Sequence, residues 1–202
     1  RRWYQIPTIP TSIGCPYDCS FCAAYMQGKY LLRDVDTIYN EMAHSPGPIA
    51  LICDATFGLK KQFTLDLMKR LAPLKKKIGV ETTLARLQDT EVLEAMAAGG
   101  VTWLVVGIET VAAKLRKHGT SDLEASLHDM LARAHDLGMM VQGNFICGLD
   151  EDGPESFEQI YEFYDRSGLD GIMMGILTPY PNTPLYDQLD REGRAVDTDW
   201  AN

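Results

Sequence analysis

Trp103-Leu104-Val105-Val106-Gly107-Ile108-Glu109-Thr110 is an apolar run that ends on a carboxylate. Burying an unpaired charge is costly, so Glu109 should point into a cavity at the end of a strand and find donors there. The strand candidate, Thr102–Glu109, is one of six apolar, β-branched runs. The others are Ile6–Ile13, Ile49–Phe57, Ile78–Leu84, Met139–Cys147 and Gly171–Leu177. Between them lie helical runs with apolar residues three and four apart: Val35–Ala43, Phe63–Leu74, Thr90–Ala98, Asp122–Leu137 and Glu155–Arg166. Strands that alternate with helices predict a parallel sheet, because each parallel connection needs a crossover. The expected fold is α/β, a partial (βα)6 TIM-like barrel with mainly parallel strands. A closed eight-unit barrel needs about fifty more residues, and a doubly wound open sheet is the alternative.

The boundaries carry their own signals. Asp89 and Ser121 stand where helix N-caps belong. Gly99, Gly138 and Gly168 fit the left-handed position that ends a helix. Ser45-Pro46-Gly47-Pro48 is a loop, and Thr178-Pro179-Tyr180-Pro181-Asn182-Thr183-Pro184 can be neither helix interior nor central strand. Nothing separates residues 1–202 into two domains. No stretch has the apolar length of a membrane span. The net charge of -9 argues against nonspecific nucleic-acid binding. The basic run from Lys69 to Lys77 reads as a solvated helix end. Five cysteines in a chain without a secretory signal fit a reducing, cytoplasmic setting. The chain begins at Arg1 rather than Met, and a piece of something longer is expected.

Gly14-Cys15-Pro16-Tyr17-Asp18-Cys19-Ser20-Phe21-Cys22 carries the strongest chemical signal. Three thiolates spaced C-x3-C-x2-C can hold three irons of a 4Fe–4S cluster, which usually takes four cysteines. With no fourth nearby, one iron is left open to an outside ligand. A structural zinc site wants four closed ligands, and the nearest histidine, His44, lies in a separate helical run. Three clustered cysteines also pair poorly as disulfides. The loop follows the first strand, so it belongs at the carboxyl end of the sheet, where parallel α/β folds bind ligands.

This cysteine motif, with Phe21 before its last member, resembles the signature of the radical S-adenosylmethionine (radical SAM) superfamily. The resemblance runs from Ile6 to about Trp200. Cys53-Asp54-Ala55-Thr56-Phe57-Gly58 resembles the turn where the family binds the methionine amine of SAM. This implies Asp54 and Thr56 at the cofactor, with backbone carbonyls able to serve as well, and a local cap as the structural alternative for Asp54. Arg86 is a candidate for the methionine carboxylate, since a guanidinium grips a carboxylate bidentately. Gly107-Ile108-Glu109-Thr110 resembles a strand motif whose acid meets SAM, which implicates Glu109, with Lys117 as a basic position downstream. Asn144-Phe145-Ile146-Cys147-Gly148-Leu149-Asp150-Glu151 resembles G-x-I-x-G-x-x-E with Asn144 in place of the first glycine. It implies Ile146 and Gly148 beside the adenine. Cys53 and Cys147 read as buried, inert thiols. His135 sits in a pattern like D-x-H-x-x-G, but Arg133 occupies the aspartate position and the segment reads as a helix end.

The resemblance implies reductive cleavage of SAM and hydrogen abstraction from an unidentified small-molecule substrate. It also implies an electron donor such as flavodoxin or ferredoxin. The cysteine loop, the Gly-Ile-Glu-Thr strand and Pro179-Tyr180-Pro181-Asn182-Thr183-Pro184-Leu185-Tyr186 are most similar to the cobalamin-dependent, methyltransferase-like class. Members of that class usually carry a cobalamin-binding domain ahead of the barrel, so cobalamin is expected in the full-length protein. The alternatives are a methylthiotransferase- or coproporphyrinogen-oxidase-like radical SAM enzyme and, from another class, an iron–sulfur electron carrier. Neither the substrate-contacting side chains nor the oligomeric state is readable.

Overall fold

The computed structural model describes residues 6–24, 28–111 and 123–196. In chain order the elements are β1 (Thr8–Ile9), β2 (Ser12–Ile13), β3 (Leu31–Leu32), α1 (Val35–His44), β4 (Ile49–Ile52), α2 (Lys61–Leu71), a 3-10 turn (Ala72–Leu74), β5 (Lys77–Thr83), α3 (Leu84–Gln88), α4 (Thr90–Ala98), β6 (Val101–Glu109), α5 (Leu123–Asp136), β7 (Met140–Cys147), α6 (Ser156–Ser167), β8 (Gly171–Ile176) and α7 (Pro184–Arg191). Six strands form one sheet in the order β1-β4-β5-β6-β7-β8, and every pair is parallel. The order runs in one direction without the reversal that defines a doubly wound sheet, so the partial-barrel expectation holds.

Alternation along each strand sorts residues onto two faces. Ala50, Ile52, Ile78, Val80, Leu104, Val106, Val141 and Phe145 point outward and are buried beneath the helices. The helices bring Leu67, Met68 and Leu71 from α2, Val92, Leu93 and Met96 from α4, Leu127 and Leu131 from α5, and Ile160 and Phe163 from α6. Phe145 meets Phe163 edge to face at 5.9 Å between ring centres. The opposite face is the lumen, and the strand register stacks it in layers. Leu51, Gly79, Trp103 and Met140 form the lowest. Glu81, Val105, Gln142 and Gly171 lie above them, then Thr83, Gly107, Asn144 and Met173. A cavity of about 410 Å³ opens at the lowest layer, with Trp103 in its wall. Gly79 is required there, because a Cβ would stand 2.7 Å from Leu51 and 3.1 Å from Trp103.

Several expected boundaries move. Ile6–Ile13 is not one strand: β1 belongs to the main sheet, while β2 pairs antiparallel with β3. Pro10 between them has no N–H to continue a ladder. The second strand ends at Ile52, and residues 53–57 form a turn held to β5 by Phe57 N–H donating to the Glu81 carbonyl at 2.7 Å. Pro73 confines the end of the second helix to a 3-10 turn. Asp89 caps α4 by accepting from Val92 N–H at 3.3 Å, whereas Ser121 lies outside the described residues. Gly138 and Gly168 are left-handed, but Gly99 is right-handed at φ −75°, and Gly100, at φ 101°, makes that turn instead. The basic run is spent locally. Arg70 stacks 3.8 Å from the centre of the Tyr39 ring, and Lys76 donates to the carbonyls of Ser45 and Gly47.

Candidate functional site

The cysteine loop leaves the sheet at Pro10 and rises from the β2–β3 ribbon. Gly14 closes the ribbon at φ 78°, where a Cβ would stand 2.9 Å from the Lys29 carbonyl oxygen. Cys15, Cys19 and Cys22 are half-buried free thiols. The loop folds back on itself through Cys22 N–H donating to the Cys19 carbonyl at 3.0 Å, and Ala24 N–H donates to the Cys22 sulfur at 3.4 Å. Among the described residues no three His, Cys, Asp or Glu side chains converge on a single metal position. In a 4Fe–4S cluster each cysteine binds a different iron. Leu185 N–H, in the first turn of α7, donates to the Ser20 carbonyl at 2.9 Å, so the proline-rich segment meets the cysteine loop. Thr183, fully buried, holds that segment by accepting from Tyr186 N–H and donating to the Tyr180 carbonyl.

Other candidates stand at or just past the carboxyl ends of β5, β6 and β7. Glu109 closes β6 in the left-handed region at φ 69°, beside a register shift between β6 and β7. A bulge of this kind re-aims a side chain. A non-glycine residue held there carries about 1–2 kcal/mol of backbone strain. Its carboxylate folds back over Gly107, where a Cβ would lie 2.7 Å from Oε1. Arg86 falls in α3 rather than on a strand, and its buried Nε has no partner; Thr83 Oγ1, at the end of β5, is likewise buried and unpaired. These two orphaned polar groups fit a polar ligand lying across the end of β5. Sequence reasoning missed Thr83 and Gly107. Counting alternate positions back from Glu109 reaches Gly107, and the register then places Thr83 beside it on the lumen face.

Ile146 is half-buried on the lumen face of β7, paired with Gly175 of β8. Gly148 turns the chain at φ 95° while its N–H donates to Asp152 at 2.7 Å. Thr56 is buried and its hydroxyl donates to the Ala55 carbonyl at 2.6 Å. Phe21 is half-buried in the cysteine loop. Lys117 lies outside the described residues.

Asp54 is engaged within the chain. Its carboxylate is 4 % exposed. It accepts from Thr11 N–H at 2.6 Å, from Ser12 N–H at 2.9 Å and from the Thr11 hydroxyl, so it is directed at the chain below the cysteines. These bonds reach back 42 and 43 residues, so they are not the local cap that the sequence offers as the alternative. Cys53, one residue past the end of β4, is exposed, unlike the buried Cys147, which contradicts the reading of both as buried thiols. His135 ends α5 and pairs with Asp170 at 3.0 Å, as a helix-end residue.

Glu81 stands on the lumen face of β5 with its side chain exposed to the open lumen, and partial desolvation by the surrounding protein raises its pKa. The folded chain therefore binds this proton more tightly than the unfolded chain. Stability should fall as pH rises from the ordinary carboxylate value toward the raised one. Glu81→Gln should flatten that part of the profile and raise the thermal midpoint at neutral pH. A profile that keeps its slope in the variant would reject Glu81 as its source.

Comparison with known proteins identifies this arrangement. The profile of the radical SAM superfamily matches residues 9–164, and the chain belongs to that superfamily. Among curated proteins, the hopanoid C-2 methylase of Rhodopseudomonas palustris is 30% identical over 213 residues, spanning 97% of this chain and 40% of its own. The bacteriochlorophyllide d C-12(1)-methyltransferase of Chlorobaculum tepidum is 26% identical over 210 residues, spanning 98% of this chain and 46% of its own. The chain thus spans less than half the length of these relatives. Among solved structures, the radical SAM methyltransferase TsrM from Kitasatospora setae, with cobalamin and a [4Fe-4S] cluster bound, has the same fold. It superposes with a TM-score of 0.83 at 18% identity, covering 98% of this chain and 42% of that one. The coproporphyrinogen III oxidase HemN of Escherichia coli superposes with a TM-score of 0.62 at 18% identity, covering 96% of this chain and 54% of its own. Among the described residues no helix is long and apolar enough to cross a membrane.

Proposed function

We propose that residues 1–202 are the core of a radical SAM enzyme of the methyltransferase-like class, acting on a small molecule. The observation that carries this reading is that the Cys15, Cys19 and Cys22 loop follows β1 while the unpaired Thr83 Oγ1 and Arg86 Nε stand at and just after the end of β5, so both lie on the carboxyl side of one parallel sheet. When bound, the cluster and SAM supply reductive cleavage of the sulfonium to methionine and a 5′-deoxyadenosyl radical that takes hydrogen from substrate. The chain's own residues bind and orient. The three thiolates hold three irons and leave the fourth for SAM. Arg86 grips the methionine carboxylate, and the backbone carbonyls of the turn around Thr56 accept from its amine. Glu109 accepts hydrogen bonds from the ribose or amino-acid part, with Lys117 close by in sequence. Ile146 and Gly148 border the adenine through main chain and apolar contact, and Phe21 flanks the cluster. An electron donor such as flavodoxin or ferredoxin and a cytoplasmic setting suit a chain with free thiols.

Anaerobic reconstitution with iron and sulfide tests the reading. About four irons and four sulfides per chain are expected, with SAM perturbing the spectrum of the reduced cluster and dithionite yielding 5′-deoxyadenosine. A cluster that takes a fourth protein ligand and ignores SAM would make the chain an electron carrier instead.

A separate cobalamin-binding domain in the full-length protein is part of the same proposal, supported by the likeness to TsrM and to longer methyltransferases. His135, engaged with Asp170, makes a poor cobalamin ligand. The chain alone should therefore bind SAM yet show little affinity for hydroxocobalamin in an anaerobic titration. Tight stoichiometric uptake would place a cobalamin site within the barrel.

A further inference from the structure

Between β1 and β2 the chain changes sheets. Cys53 N–H still donates to the Ile9 carbonyl at 3.3 Å, but the following residues leave the ladder, and β2 pairs with β3 instead. The polar groups of this crossing need other partners. The Asp54 carboxylate supplies them on one side, taking Thr11 N–H, Ser12 N–H and the Thr11 hydroxyl. Arg33 supplies the other side. Its backbone N–H donates to the Thr11 carbonyl at 2.9 Å and its Nη1 to the Pro10 carbonyl at 2.6 Å. The guanidinium is held in turn by both oxygens of Glu41 on α1, at 2.6 and 3.0 Å. Pro10-Thr11-Ser12 is thus gripped between an acceptor fixed to β4 and a donor fixed to α1. Thr11 is fully buried within that grip, and Cys15 follows three residues after Ser12.

We propose that Asp54 is a positioning residue that fixes the stem of the cysteine loop, so that Cys15, Cys19 and Cys22 are presented to a cluster in one orientation relative to the lumen. This rests on the cluster reading above. A carboxylate suits the task because it is acceptor-only, and the stem offers it three donors. An amide in its place turns an N–H₂ group toward one of them.

Asp54→Asn tests the proposal in two stages. In the iron-free chain, amide exchange at Thr11 and Ser12 should accelerate at least tenfold while core amides such as Leu104 and Val141 keep their protection. In the reconstituted chain, iron should pass to a chelator several-fold faster than from wild type, and the spectrum of the reduced cluster should change. Thr11→Ser, which keeps the hydroxyl, should match wild type, and Thr11→Val should lie between the two. The Thr11 pair also decides the matter where Asp54→Asn does not fold. Wild-type exchange at the stem overturns the proposal. So does faster exchange combined with wild-type iron retention and spectrum, which would leave Asp54 a structural tie of the stem alone. A wild-type chain that takes up no iron instead defeats the cluster reading itself.

Discussion

Replacement of Cys15, Cys19 and Cys22 together by alanine should abolish iron and sulfide uptake while leaving the fold standing. The three side chains are half-buried in a loop outside the helix-covered core, which is built from residues such as Ile52, Val80, Leu104 and Val141. Losing them creates no core cavity, so the iron-free chain should unfold within about 0.5 kcal/mol of wild type, as is usual for substitutions away from the core. The effect on the cluster should be near total, because none of the three ligand thiolates remains to anchor the irons. Colorimetric iron and sulfide analysis, set beside thermal unfolding, separates the two effects. Full cluster assembly in the triple variant would refute the ligand assignment. A collapsed fold would mean the loop is structural in a way that its exposure does not suggest.

Glu109→Gln should weaken SAM binding about tenfold to a hundredfold, the range that corresponds to losing one charged hydrogen bond, with the cluster still assembled. Glu109→Gly makes the sharper experiment. It removes the carboxylate and also relieves the left-handed backbone, so it should bind SAM at least as poorly while holding or raising the unfolding midpoint. Gly107→Ala completes the set. Its new methyl would stand 2.7 Å from Oε1 of Glu109, the movable end of a flexible side chain. It should therefore displace the carboxylate and lower SAM affinity at little cost in stability. Calorimetric titration and thermal unfolding of the three variants test the assignment. Unchanged SAM affinity in all three would return Glu109 to a structural role.

The fold was largely legible because its signals are periodic. Outward residues such as Leu104, Val106 and Ile108 alternate with lumen residues, and helices separate the strands, so the parallel barrel followed from pattern alone. What escaped was short and non-local. The break at Pro10 depends on partners from Arg33 and Asp54, which lie 23 and 43 residues from the groups they bind. The short helix α3 at Leu84–Gln88, which carries Arg86, begins on the last residue expected of the strand Ile78–Leu84. At the site, motif resemblance picked out Glu109 and Arg86, which stand at and after the carboxyl ends of β6 and β5. It could not reveal which face a side chain occupies in a turn. The burial expected of Cys53 therefore fails, since it is exposed just past β4, and nothing in the motif signals that Asp54 turns toward the stem. Side-chain parity is fixed within a strand and lost one residue beyond it.

Trp103 gives the lumen an optical signal of its own. The sequence holds three tryptophans, and Phe at positions 3 and 200 would leave this indole as the sole emitter. It is 37% exposed in the wall of the lowest layer, at the opposite end of the strands from Thr83 and Glu109. A molecule that fills the cavity beside Leu51 and Met140 removes water from the ring and should shift its emission to the blue. A ligand confined to the carboxyl ends of the strands should leave the emission unchanged. Steady-state fluorescence can thus distinguish occupancy of one end of the barrel from the other, before any substrate has been identified.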